Sequence, residues 1–319
     1  MLSARRRASS KVTVMSSPSS SVLDWGSGLL LPATMLAALS AAVLCEAAPF
    51  ALPNANVAGA TIQAPATIEL EPRPFDFRPS GDFQQQQNSV AAPLMHIALS
   101  APLQITTYQI SAIDYAECVA AGSCKTPHPR YSGTGDVPAT GVSFNDAQNY
   151  ANWLAQETGD IWRLPTVEEW DFAASGSAID HGTEGLGAGA DLAHPWLADL
   201  DAQASAPTLP APFLRPRGSF GSNALGVADM GGNVWEWTSD CNSRTLMTPH
   251  SGVTSRSESC GVRVLEGPHR MAMSAFIQDA LGGGCFSSVP PDNLGFRLVR
   301  QATWYGWMPT PIRRLLNLS

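Results

Sequence analysis

Lysine is almost absent: Lys11 and Lys125 are the only two in 319 residues. Charged side chains make up 14% of the chain, and 27 acidic residues against 19 basic ones leave a net charge of −8. A nucleic-acid reader needs a basic stripe that displaces phosphate counterions, and no such stripe can be assembled here, so that class of partner is excluded. Cys-x-x-Cys is missing, as is any Cys/His spacing of the zinc type, which excludes a zinc ribbon or finger. Gly185, Gly187 and Gly189 superficially suggest a phosphate loop. No strand pattern precedes them and no helix start or Lys follows, so nucleotide binding is excluded too.

Long apolar runs are scarce, and the one that stands out lies near the start. Arg5, Arg6, Arg7 and Lys11 precede the uncharged stretch Gly28–Leu44, and Cys45, Glu46, Ala47 and Ala48 offer a small-residue cleavage site. Residues 1–47 therefore read as an export signal, with the bacterial periplasm as the destination. At about 17 residues the run sits at the lower edge for a spanning helix. An uncleaved N-terminal anchor is the alternative, and only then would the chain touch a membrane. Cysteine usage suits an oxidising compartment. Cys118 with Cys124 and Cys241 with Cys260 are the expected bridges, which leaves Cys285 as a reactive thiol or a small buried residue.

What remains is globular material, 44% hydrophobic, with enough glycine and proline to keep much of it in loops. Residues 48–92 are rich in Pro, Ala and Gln and read as a lead-in, with strand patterns at Thr67–Leu70 and Phe75–Phe77. Residues 93–300 form the main domain. Its first stretch alternates as two strands broken near Pro102. Three helix starts follow, each a Ser or Thr three residues before an acid: Ser111 with Asp114, Ser143 with Asp146, and Thr166 with Glu169. Residues 301–319 form a tail whose Trp304, Tyr305 and Trp307 precede Arg313 and Arg314. They either make an exposed docking segment or pack on the domain.

Asn223–Asp240 concentrates the special-purpose residues. Asp229 precedes Gly231, Gly232 and Asn233, a bend that takes positive φ cheaply. Trp235 and Trp237 then alternate with Glu236. Two carboxylates around a bend with free carbonyls make an oxygen-ligand set for calcium. The plainer reading is a tight turn entering an aromatic core strand.

Four blocks in order carry a resemblance: Val137–Ser143 leading to Tyr150–Leu154; Trp162–Trp170; Asn223–Gly226 through Gly232–Trp237; and Asn293–Arg297. The chain resembles the formylglycine-generating-enzyme (sulfatase-modifying factor) family. That implies an α+β, loop-rich fold of the C-type-lectin kind with little regular structure. It also implies a structural calcium held by the Asp229 and Glu236 side chains and the Gly232 and Val234 carbonyls. The family's oxidase chemistry uses copper on two cysteines, and the matching positions here hold Ala272 and Ile277. Neither can supply a soft thiolate, so copper and formylglycine formation by that route are not expected. A sister branch binds iron through three histidines, but the six histidines here show no paired helical spacing. Iron is left open.

In place of the thiolates stand Glu266, His269 and Arg270, with Asp279, Cys285 and Asp292 downstream. His269 is a candidate general base or metal ligand tuned by Glu266 or Asp279. The alternative is that His269 and Arg270 serve structure or substrate binding. Details around Cys260–Arg270, Pro290–Arg297 and Cys118–Cys124 are most similar to an exported branch associated with nitrite-reductase clusters. Two functions follow: an accessory or maturation factor that grips a protein or peptide client such as a periplasmic reductase, or a metal- or oxygen-dependent modifying enzyme centred on His269.

Overall fold

The computed structural model describes residues 62–129, 133, 135–175, 214–248, 252–278 and 293–316. In chain order, strands β1 (Thr67–Leu70), β2 (Phe75–Phe77), β3 (Asp82–Gln85), β4 (Asn88–Ser89), β5 (Met95–Ile97) and β6 (Leu103–Thr106) come first. Helices α1 (Ala112–Ala120) and α2 (Phe144–Thr158), strand β7 (Ile161–Arg163) and helix α3 (Val167–Ala174) follow. The long strands β8 (Trp235–Met247) and β9 (Val253–Glu266) lead to β10 (Met271–Ser274), β11 (Leu294–Gly295), β12 (Val299–Gln301) and helix α4 (Thr310–Leu315). The fold is α+β and loop-rich, as the sequence leads one to expect.

One sheet has the order β1-β6-β12-β7, and a second runs β10-β9-β8-β3-β4 with β11 laid parallel on β8. Strands β2 and β5 make a separate antiparallel pair. The strands expected in the lead-in at Thr67–Leu70 and Phe75–Phe77 both form, and from residue 62 onward the segment packs on the domain. Its strand β1 pairs with β6 from Thr67↔Thr106 to Leu70↔Leu103, and β3 lies parallel to β8. Leu70, Phe75 and Phe77 are buried with Leu103, Ile105, Phe172 and Val299 in one core cluster. The low-complexity run around Gln84–Gln87 hides β3 and β4, which are only four and two residues long.

All three capping boxes form, with the hydroxyl on the third amide and the acid on the cap's own amide. Helix α2 is the longest and buries Phe144, Ala147, Tyr150, Ala151 and Leu154, the face its periodicity predicts. Those side chains join Trp162, Trp237, Phe296 and Leu298 in the larger core cluster. Gly159 ends α2 at φ 83°, the left-handed conformation expected of a C-terminal glycine.

The tail packs on the domain through its last helix and leaves two of its tryptophans exposed. Arg313 is buried and donates to the Glu157 carbonyl at 2.5 Å, while Thr310 and Thr303 hydroxyls reach the Glu157 and Gly159 carbonyls. These are the orphan acceptors at the C-terminus of α2. Any β-carbon at Gly159 would overlap the Arg313 guanidinium, so a glycine is required there twice over. Trp304 and Trp307 meanwhile face outward. Both expected disulfides are present, Cys118–Cys124 and Cys241–Cys260. Among the described residues no helix is long and apolar enough to cross a membrane.

Asp146 offers a clean test of how these elements are held. Its carboxylate accepts from the Ser143 hydroxyl at 2.6 Å, the Ser143 amide at 2.9 Å and the Gln278 side chain at 2.9 Å. Burial works against its charge, but these hydrogen bonds win and hold its pKa below the ordinary value. The resulting stability is complete above the unfolded-state pKa of Asp and is lost as pH falls through the depressed native value. Asp146→Ala should therefore lower the unfolding free energy by about 1–2 kcal/mol at neutral pH and cost much less in strong acid, as urea titrations at both pH values would show. Opening the Cys241–Cys260 bridge with Cys260→Ser should cost about 3 kcal/mol, measured in the same way.

Candidate functional site

Strand β8 begins where the Gly-rich bend ends, and its second residue is Glu236. The bend is built as the sequence suggests: Asp229, Gly231 and Asn233 all have positive φ. Glu236 is 1% exposed, yet each of its oxygens is fully employed. Oε2 accepts from Arg297 Nε at 2.5 Å and Trp170 Nε1 at 2.7 Å, and Oε1 from Arg297 Nη2 at 2.7 Å and Gln109 Nε2 at 2.8 Å. Arg297 arrives here because β11 runs parallel to β8, with Gly295 beside Glu236, and Arg297 follows two residues later. Its guanidinium is itself buried and also donates to the Ala228 and Thr106 carbonyls.

Of the four expected calcium ligands, Asp229, Gly232 and Glu236 are turned to other work. The Asp229 carboxylate accepts the amides of Gly218 at 2.5 Å and Phe220 at 2.8 Å. The Asp229 and Gly232 carbonyls face the Gln109 side-chain amide, at 3.2 and 3.3 Å. Val234 packs against Gly295. With a guanidinium already bidentate on Glu236 and N–H donors on both carboxylates, the set does not fit a hard cation. Arg297 supplies the positive charge that calcium was expected to bring.

Directly across the ladder from Glu236, on β9, is Glu266. Two carboxylates facing each other across antiparallel strands would repel, and each has its own guanidinium. Glu266 is fully buried against Arg270 Nε, while Arg270 Nη2 lies 2.6 Å from Asp171 and Nη1 donates to the Arg78 carbonyl. Burial raises the Glu266 pKa, against the pull of Arg270. Burial also opposes the Arg270 charge, but Glu266 and Asp171 outweigh it and hold that charge firmly.

His269 packs on Trp235. Its ring meets Trp235 edge-on at 5.3 Å between centroids, and its carbonyl accepts from Trp235 Nε1 at 3.2 Å. The chain therefore brings Glu266 and Arg270 together in the interior and leaves His269 half-buried on the turn between β9 and β10. Asp279, Cys285 and Asp292 lie outside the described residues.

The expected copper positions are equally plain. Ala272 is opposite Val264 on β10, and Ile277 packs against the larger core cluster. The four described cysteines are all in disulfides, so neither copper nor another soft metal has a thiolate here. Among the described residues no group of three or more His, Cys, Asp or Glu is placed to hold a metal ion. Beside Ile277, Phe276 projects into solvent at 75% exposure.

Sequence reasoning missed Gln109, Asp171 and the role of Arg297. Arg297 was visible as the last residue of a family block, but nothing local ties it to Glu236. Gln109 and Asp171 carry no pattern at all.

A family model described as "Sulfatase-modifying factor enzyme 1-like domain" matches residues 57–302, and the chain belongs to that family. It is 30% identical over 158 residues to the formylglycine-generating enzyme of Mycobacterium tuberculosis, covering 48% of this chain and 47% of that protein. It is 34% identical over 115 residues to the hercynine oxygenase of Mycolicibacterium smegmatis, covering 33% and 22%. The chain thus spans about half the length of the first relative and about a fifth of the second. Among solved structures, PvdO from Pseudomonas aeruginosa aligns at a TM-score of 0.47 with 25% identity, covering 75% of this chain and 95% of that one.

The Glu236–Arg297 pair makes a sharp prediction. Arg297→Met should cost about 3–5 kcal/mol, because it strands a buried carboxylate. Treatment with a calcium chelator should leave the melting temperature of the parent protein unchanged; a clear drop would restore the calcium assignment. Thermal unfolding followed by circular dichroism reads both.

Proposed function

We propose that this chain is an exported, client-binding member of its family, acting as an accessory or maturation factor rather than oxidising cysteine to formylglycine. The observation that carries the reading is the state of the former thiolate positions. Ala272 and Ile277 offer no ligand, and the exposed Phe276 beside Ile277 presents an apolar side chain suited to gripping a peptide. Exposed aromatics of this kind are common anchors at protein interfaces. Glu266 and Arg270 serve at the turn between β9 and β10. Locked to each other and to Asp171, they fix the turn that presents His269 and cannot reach a substrate. A periplasmic nitrite reductase is the client class we favour.

A second reading has its own support. Two relatives are named for modifying or oxygenase chemistry, and His269 lies half-buried on the turn between β9 and β10. Under that reading His269 acts as a base or metal ligand.

The two separate in one set of measurements. A cysteine-containing peptide incubated with the protein, copper(I) and oxygen should return with unchanged mass. In calorimetry against a purified periplasmic nitrite reductase, Phe276→Ser and His269→Ala should each weaken binding about tenfold without altering the melting temperature. Stoichiometric iron or copper that is lost in His269→Ala, together with turnover of the peptide, would overturn the binding reading in favour of the second.

A further inference from the structure

The long strand β9 is covered on one side only. Toward β8 it pairs from Ser255 to Ser259 in unbroken register, against Leu246 to Asn242. On its other side β10 pairs with Val262–Leu265, and the Ala275 amide reaches the Gly261 carbonyl. From Val253 to Gly261 every residue is exposed, and no described strand lies along that edge. An open edge is a template for another strand, and proteins usually blunt it with lysine, proline or a bulge. This stretch contains no lysine and no proline, and the ladder is regular for five consecutive residues. The Cys241–Cys260 bridge fixes it to β8 at one end.

The charges on this edge say what it fits. Arg256 and Glu258 lie on the same face, 3.2 Å apart and each about half exposed. We propose that this edge is a dimer interface, in which β9 pairs antiparallel with β9 of a second copy about a two-fold axis through Ser257. Ser257 is the middle of the regular stretch. With the axis there, Arg256 of each copy stands opposite Glu258 of the other, and Ser255 stands opposite Ser259. Moving the axis by one residue sets Arg256 against Arg256, or Glu258 against Glu258, and like charges directly opposite are unfavourable. The edge is therefore self-complementary in one register, as a two-fold interface requires. Its flat, preorganised backbone means little ordering is lost on pairing. A single strand pairing buries little area, so the dimer is weak and sensitive to salt.

Sedimentation equilibrium on the purified full chain, up to about 0.5 mM in low salt, tests this. A reversible monomer–dimer equilibrium is expected. Arg256→Glu and Glu258→Arg should each weaken it by about tenfold or more, because each sets like charges together. Mixing the two single variants should restore dimers, since the mixed pair is again complementary, and the double exchange R256E/E258R should restore them within one chain. A chain that stays monomeric at every concentration overturns the proposal. So does a dimer that neither single reversal weakens, or one that the mixture fails to restore. Unchanged circular dichroism of the variants separates loss of pairing from loss of fold.

Discussion

The Glu236–Arg297 pair is the constraint that the rest of the domain is arranged to satisfy. Removing two opposite charges from water is costly, and the cost is offset only when geometry is good and every remaining acceptor is used. Here each carboxylate oxygen has two donors, and those donors come from three places: the loop after β6, helix α3 and the segment between β11 and β12, while the bend before β8 accepts from Arg297. A loop-rich chain has few long ladders to fix its parts relative to one another. A buried ion pair with directional hydrogen bonds does this, because displacing any one part leaves a charge or a donor unpaired. Glu266, Arg270 and Asp171 repeat the device one strand away.

What could be read from the sequence follows from range. The capping boxes at Ser111, Ser143 and Thr166 and the left-handed end at Gly159 are settled within four or five residues, and all took the expected form. Asp229 and Glu236 were legible as unusual residues, because carboxylates beside a Gly-rich bend and between two tryptophans demand partners. The partner itself was not legible. Arg297 lies 61 positions from Glu236, and whether a buried carboxylate is met by a metal or a guanidinium depends on which strand lands beside it. The parallel addition of β11 to β8 decides that, and two-residue strands leave no periodicity to detect. The same shortness concealed β3 and β4 within a stretch that looked like a lead-in.

The family scaffold and the chemistry separate at a definite place. The bonds that hold this chain's fold include the Glu236–Arg297 ion pair and the Trp237 Nε1 bond to the Val142 carbonyl. What is replaced lies within six residues of β10 and the turn after it, where Ala272 and Ile277 stand. Glu266 and Arg270 are polar, close to that place and titratable, and so looked like substitutes for the missing thiolates. Their burial argues otherwise. A general base must exchange protons with a substrate, and a carboxyl sealed beneath β8 and bonded to a guanidinium cannot do so. They hold the turn that carries His269.

The Cys241–Cys260 bridge shows the same economy at the other end of the sheet. The β8–β9 ladder slips on both sides of Cys241, between Trp237 and Cys241 and again between Cys241 and Asn242. At such a slip ladder bonds are lost and the strands are free to splay. The disulfide stands at that point, and the Arg263 guanidinium crosses it to reach the Ser239 carbonyl at 2.7 Å while lying 4.2 Å over the Phe144 ring. Covalent bond, cation and ring together restore the alignment that the irregular register gives up. Beyond the slip β9 runs straight again, which is why its outer edge stays regular enough to meet a copy of itself.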